Sequence, residues 1–170
     1  MTTTKNQERK RLRELIEKIE LAMMVTSHGE ELRARPMTTS QMDEDGNLWF
    51  FSNEFSAKTE EIKNDQQVNL SYADKSSNSY VSISGSASMV HDPAKINELW
   101  SPILKAWFPK GKDDPDMTLI RVVPHSSEYW DSSASKMVQL FKITKAIVKG
   151  ETYHEQASED ENIKQDHDNK

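Results

Sequence analysis

Between Val81 and Met89 the chain alternates without a break: Val81, Ile83, Gly85, Ala87 and Met89 are separated by Ser82, Ser84, Ser86 and Ser88. Side chains along a strand point to opposite faces at a period of two, so this pattern predicts a β-strand with one face in the core and a row of hydroxyls on the other. The segments around it repeat the theme at short spacing. Leu21 to Ser27 reads as a strand, His28 to Glu31 as a turn, and Leu32 to Met42 as a partner strand in which Pro36 marks an edge, a bulge or an end of pairing. Asp43 to Asn47 is a strong turn, followed by strands at Leu48 to Ser52 and Val68 to Ala73, with a polar loop from Asp74 to Asn78. Two further long strands are expected, Met117 to Val123 and Met137 to Lys149. Glu128-Tyr129-Trp130-Asp131 lies between them and leads into a small-residue turn at Ser132 to Ser135.

Helices interrupt this series. Residues Lys5 to Glu20 place Leu12, Leu15, Ile16 and Ile19 on one stripe. Ser56 is a plausible N-cap for a short helix, and Asp92-Pro93 supplies an N-cap and a first-turn proline for a helix carrying Ile96, Leu99, Trp100, Ile103, Leu104 and Trp107. Two tryptophans on one stripe predict deep packing or a dimer contact. Six or seven strands joined mostly by turns, with three helices, describe a mainly β fold with α additions: an antiparallel barrel. No G-x-G-x-x-G, P-loop or regular strand and helix alternation points to a parallel nucleotide-binding sheet.

The 170 residues fit one domain. From Glu151 onward seven acidic residues stand against two lysines with few apolar anchors, so residues 1–150 are expected to form the domain and 151–170 a disordered acidic tail. The net charge of −6 therefore belongs mostly to the tail, and a nearly neutral body suggests neither nucleic acid nor an anionic membrane as partner. The longest apolar run, Leu21 to Val25, is far too short to span a bilayer, and the charged N-terminus is unlike a signal peptide. With no cysteine, disulfide, thiolate and thiol chemistry are excluded, and a cytoplasmic setting is expected. His28, His91, His125, His154 and His167 lack metal-ligand spacing, and Asp43 to Asp45 lack the ligand ladder of a calcium loop. No nucleophile elbow or identifiable carboxylate pair is present.

The stretch from Leu48 to Tyr72 is the most informative for chemistry. A helix opened by Ser56-Ala57-Lys58-Thr59 would turn its first N–H groups and the positive end of its dipole toward one small volume, with Lys58 and two hydroxyls beside it. Those are the requirements of an anion site. The same pattern also occurs on capped helices that bind nothing.

Taken in order, the first helix, a hairpin ending in Arg35-Pro36-Met37, Leu48-Trp49-Phe50-Phe51-Ser52-Asn53, Ser56-x-Lys58 before a short helix, and Glu128-Tyr129-Trp130-Asp131 resemble the FMN-binding split-barrel family. The likeness is to the pyridoxamine 5'-phosphate oxidase-like proteins and their general stress protein branch. It spans about residues 8 to 149. The resemblance implies a split β-barrel, a homodimer with FMN in a groove between subunits, and a flavin-dependent oxidoreductase. It implies that Arg35, Pro36 and Met37 run beside the isoalloxazine, that Phe51, Ser52 and Asn53 lie beneath it, and that Ser56, Lys58 and Thr59 bind the phosphate. It further implies that Trp130 lies near the ring, although a core tryptophan at a strand end fits the sequence equally well.

Two departures argue against pyridoxamine phosphate oxidation itself. Tyr80 stands where the oxidase has a flavin-contacting glutamine, and the acidic tail replaces the oxidase's arginine-rich C-terminal segment. Two classes of function then compete: an oxidoreductase acting on a small molecule, and a flavin-binding or flavin-buffering module. Other split-barrel branches hold F420 or haem instead of FMN.

Overall fold

The computed structural model describes residues 2–131 and 136–140. The expected tail from 151 to 170, the turn at 132–135 and the last part of the final strand lie outside the described residues. The elements are α1 (Thr2–Ile19), β1 (Leu21–His28), β2 (Glu31–Thr38), β3 (Gln41–Met42), β4 (Leu48–Asn53), α2 (Ala57–Asn64), β5 (Gln67–Asp74), β6 (Ser79–Val90), α3 (Pro93–Leu99), β7 (Met117–Asp131) and β8 (Lys136–Leu140). Two short 3-10 helices, Pro102–Ala106 and Gly111–Asp113, lie between α3 and β7.

All eight strands form one antiparallel sheet in the order β2-β1-β5-β6-β7-β4-β3, with β8 also on β7. The two ends of this order, β2 and β3, are consecutive in the chain. Residues 31–42 thus pair with β1 through their first part and with β4 through their last, which closes the sheet into a barrel. The crossing point is fixed by the Thr39 N–H donating to Glu20 O and the Ser40 N–H donating to Trp49 O, both at 2.8 Å. Pro36 lies on the edge strand β2, opposite Met23, where a missing donor is tolerated.

The barrel interior holds Met24, Leu48, Phe50, Leu70, Tyr72, Ile83, Ile120 and Val122, and α1 covers it with Leu12, Leu15 and Ile16. Along β4, Leu48 and Phe50 face this interior, while Trp49 and Phe51 enter a second core with Phe108, Met117 and Leu119. Both faces of β4 are therefore buried, which accounts for its lack of polar alternation.

Two expectations are corrected. The helix expected from Asp92 through Trp107 stops at Leu99: Trp100 is extended, and Pro102 opens a 3-10 helix. The residue directly before a proline is pushed out of the helical region, and Ser101, before Pro102, is extended, so the stripe is cut. Ile96, Leu99, Trp100 and Leu104 still pack on the second core, but Ile103 and Trp107 are 70% and 69% exposed. Second, Glu128 to Asp131 do not connect two strands; they are the last residues of the 15-residue β7. Along one edge β7 pairs with β6, and along the other with β4 from Met117 to Val122 and with β8 from Ser127 to Asp131. Pro124 stands at this change of partner, where the register with β6 shifts between Ser84 and Gly85.

Glycine stands at position 85 on the core face of β6 for a reason. A Cβ there would lie 2.5 Å from Val123 O and 3.0 Å from Val122 Cγ1. Gly85→Ala is therefore expected to destabilise the fold by about 1–3 kcal/mol, through displaced backbone at the bulge. Urea denaturation should show the lowered midpoint.

Candidate functional site

The chain leaves β4 at Asn53, whose carboxamide oxygen accepts from the Phe55 N–H at 2.8 Å, while Asn53 O accepts from the Ser56 N–H at 3.2 Å. This turn aims the chain into α2. Ser56 takes the extended backbone of an N-cap, φ −79° and ψ 156°, yet its hydroxyl caps no helix N–H. It sits 3.3 Å from the Thr59 hydroxyl and 3.5 Å from that of Ser52. The buried Thr59 hydroxyl is within 2.6 Å of both Glu54 O and Ser56 O. The N–H groups of Thr59 and Glu60 reach Ser56 O, whereas those of Ala57 and Lys58 have no acceptor among the described residues. A helix N-terminus normally satisfies such donors with a cap, water or a ligand.

Lys58 is only partly exposed and makes no hydrogen bond or ion pair among the described residues. Burial, and next the nearby Arg35 charge, hold its pKa below the usual 10.5, with Glu61 pulling the other way. Arg35 itself is anchored. Its guanidinium donates to the Thr26 hydroxyl at 2.8 Å and to Glu61 Oε2 at 2.7 Å, and the Thr26 hydroxyl donates to the same Oε2 at 2.5 Å. Glu61 Oε1 lies 3.4 Å from an Arg33 amino group and 3.7 Å from His28 Nδ1. Its side chain is 3% exposed. Burial pushes the Glu61 pKa up, but the hydrogen bonds from Thr26 and Arg35 and the charges of Arg35 and Arg33 outweigh it. The carboxyl is held below its usual 4.5.

The structure thus gathers Ser52, Ser56 and Thr59 at the start of α2 and sets Lys58 near enough to Arg35 for the two like charges to be felt. The remaining expected residues have surroundings of their own. Met37 is a core residue opposite Ala22, Pro36 is exposed, and the Phe51 ring packs edge-on against Trp100 with centroids 6.2 Å apart. Trp130 lies on β7 opposite Tyr80 on β6, both partly exposed. Glu61, Thr26, Arg33 and His28 are members of the cluster that the sequence reading missed. A signal existed for the arginines: Arg33 and Arg35 alternate on one strand and share a face. None existed for Glu61, which reads as part of a solvated Glu-rich helix.

Acidification offers a check. Because the folded-state pKa of Glu61 lies below its usual value, the unfolded chain binds a proton that the folded chain lacks over that interval. The stabilisation is complete above pH of about 4.5 and is lost as pH falls through the folded value. The pH dependence of urea midpoints should show this fall, and Glu61→Gln should flatten it.

Comparison with known proteins adds the following. Residues 7–154 match the sequence profile of the family described as pyridoxamine 5'-phosphate oxidase like. "Protein bli-3" of Neurospora crassa is 28% identical over 140 residues, covering 76% of this chain and 67% of that protein. Among solved structures, the general stress FMN/FAD binding protein of Xanthomonas citri is 27% identical, with a TM-score of 0.67, covering 79% of this chain and 96% of the other. A Clostridium acetobutylicum protein related to general stress protein 26 shares the fold at 22% identity, with a TM-score of 0.69 over 81% of this chain and 95% of its own. Among the described residues, no helix is long and apolar enough to cross a membrane.

Proposed function

The chain belongs to the pyridoxamine 5'-phosphate oxidase-like family, and from that premise we propose that it binds FMN and serves as a flavin-dependent oxidoreductase on a small molecule. The observation that carries this reading is Lys58, a partly buried cation beside Arg35 with no ion-pair partner of its own among the described residues. A phosphate monoester needs cations, hydroxyls and N–H donors together. The cluster offers Lys58, Arg35, the Ser56 and Ser52 hydroxyls, and the Ala57 and Lys58 N–H groups. The likeness to the Xanthomonas citri FMN/FAD binding protein supports a flavin in particular.

In this reading the flavin, when bound, supplies the transfer of a hydride or electrons, and the protein supplies position and electrostatics. Lys58, Arg35 and Ser56 hold the phosphate end, and Thr59, its buried hydroxyl engaged by Glu54 O and Ser56 O, fixes the turn on which they stand. The Arg35-Pro36-Met37 strand, the Phe51-Ser52-Asn53 strand end and Trp130 border the ring. Phe51 contributes backbone there, since its ring belongs to the second core. The alternative, a flavin buffer without a dedicated substrate, is separated by reduction with NADPH or NADH followed by reoxidation with candidate acceptors. The absorption spectrum of the purified protein distinguishes FMN from F420 and haem.

A charge-assisted bond to phosphate contributes about 1.5–3 kcal/mol, so Lys58→Ala is expected to weaken FMN binding by roughly ten- to a hundredfold. Riboflavin, lacking the phosphate, should change by about twofold or less, the scale of a lost surface charge. Equal losses for both ligands in parallel titrations would count against a phosphate role.

We also propose a homodimer. Leu21 and Met23 project from β1, and Tyr80 faces Trp130 across β6 and β7, all four exposed by more than a third. Sedimentation velocity at micromolar concentration with FMN bound should give a dimer. A monomeric holoprotein would remove this part of the reading.

A further inference from the structure

We propose that Glu61 is the positioning residue of the anion site: its carboxylate fixes Arg35, directly and through the Thr26 hydroxyl, so that the guanidinium stands ready for a phosphate. The proposal rests on reading the start of α2 as a phosphate site. A carboxylate this deeply buried is costly unless it is paired and hydrogen-bonded. Its two oxygens are divided. Oε2 takes the Arg35 and Thr26 donors at 2.7 and 2.5 Å, while Oε1 faces Arg33 and His28 at 3.4 and 3.7 Å. Arg35, Thr26 and Glu61 form a closed ring, since Arg35 also donates to the Thr26 hydroxyl at 2.8 Å. Arg35 has five N–H donors, of which this ring engages two.

The charge balance points the same way. Lys58 lies one turn before Glu61 on α2, yet the carboxylate pairs with Arg33 and Arg35 and not with Lys58. Arg33 also faces the exposed Glu31 at 4.0 Å, so Lys58, Arg33 and Arg35 stand against two acids, and a net positive charge remains to attract a phosphate monoester, which carries about −1.5 to −2 near neutral pH. By charge alone a carboxylate repels an incoming phosphate. If Glu61 only balanced charge, its removal would tighten phosphate binding. A positioning role predicts the opposite sign, because an unheld arginine must have its flexible chain ordered when the ligand arrives.

FMN and riboflavin titrations of the full-length wild type, Glu61→Gln and Thr26→Val decide between these. Glu61→Gln should weaken FMN about tenfold, the scale at which supporting partners of a binding group act, with riboflavin held within about twofold. Thr26→Val keeps the shape and all the charges while removing the bridge, and should show a smaller loss confined to FMN. Combined, the two changes should cost less than their separate effects predict, because they break one ring. FMN bound by Glu61→Gln as tightly as by wild type, or more tightly, overturns the proposal; so do equal losses for both ligands. Should Glu61→Gln not fold, Thr26→Val carries the test alone, and wild-type FMN affinity in that variant is the overturning result. A wild type that binds FMN no better than riboflavin fails differently, removing the phosphate site and Glu61's role with it.

Discussion

One stretch of twelve residues, 31–42, holds both ends of the sheet, and the barrel depends on that double use. Its first part completes the β1 edge and its last part the β4 edge, so the described residues need no separate closing strand. Closure creates the enclosed volume that Phe50, Leu70, Tyr72 and Ile83 fill, and it leaves one end for α1 to cover. It also sets the chemistry. Arg33 and Arg35 lie opposite Thr26 and Met24 on the same face of this stretch, so the segment that closes the barrel carries two arginines to the Glu61 carboxylate.

Two polar clusters on this scaffold behave differently. At the β3–β4 hairpin, Asp43 accepts from Asn47 and from the Trp49 indole at 2.8 Å, while Arg13 reaches its carbonyl. Burial raises the Asp43 pKa, and these hydrogen bonds more than offset it, leaving the carboxyl below its usual value. That network satisfies itself and stabilises a turn. At α2 the balance is left open, because Lys58 has no ion-pair partner of its own among the described residues.

Much of this was readable in the sequence, for physical reasons that differ by element. The β6 alternation and the Asp92 cap are local, and both appear as expected, the cap accepting from the Ala94 and Lys95 N–H groups. Ser56 was readable as a helix start but not as an uncapped one, since its hydroxyl turns to neighbours fixed by the turn after β4. The break at Pro102 carried its own signal, overridden by an apolar stripe that looked continuous. The length of β7 was not readable, because it rests on β4 and β8 succeeding one another along a single edge. Glu61 was hidden for a similar reason: only the folded sheet brings Thr26, Arg33 and Arg35 to it.

The strand buried on both faces has a consequence for how the site can move. Ser52 and Asn53 end β4, which the barrel interior and the second core hold between them. Opening this floor would expose two cores at once, so its amides belong among the slowest to exchange with solvent. The tip of the β1–β2 hairpin is not held on both faces, for Glu31, Leu32 and Arg33 are all exposed, and its ties to α2 include the contacts of Arg33 and Arg35 with Glu61. Any movement at this end of the barrel is thus expected of the hairpin tip, as a hinged jaw works against a fixed anvil.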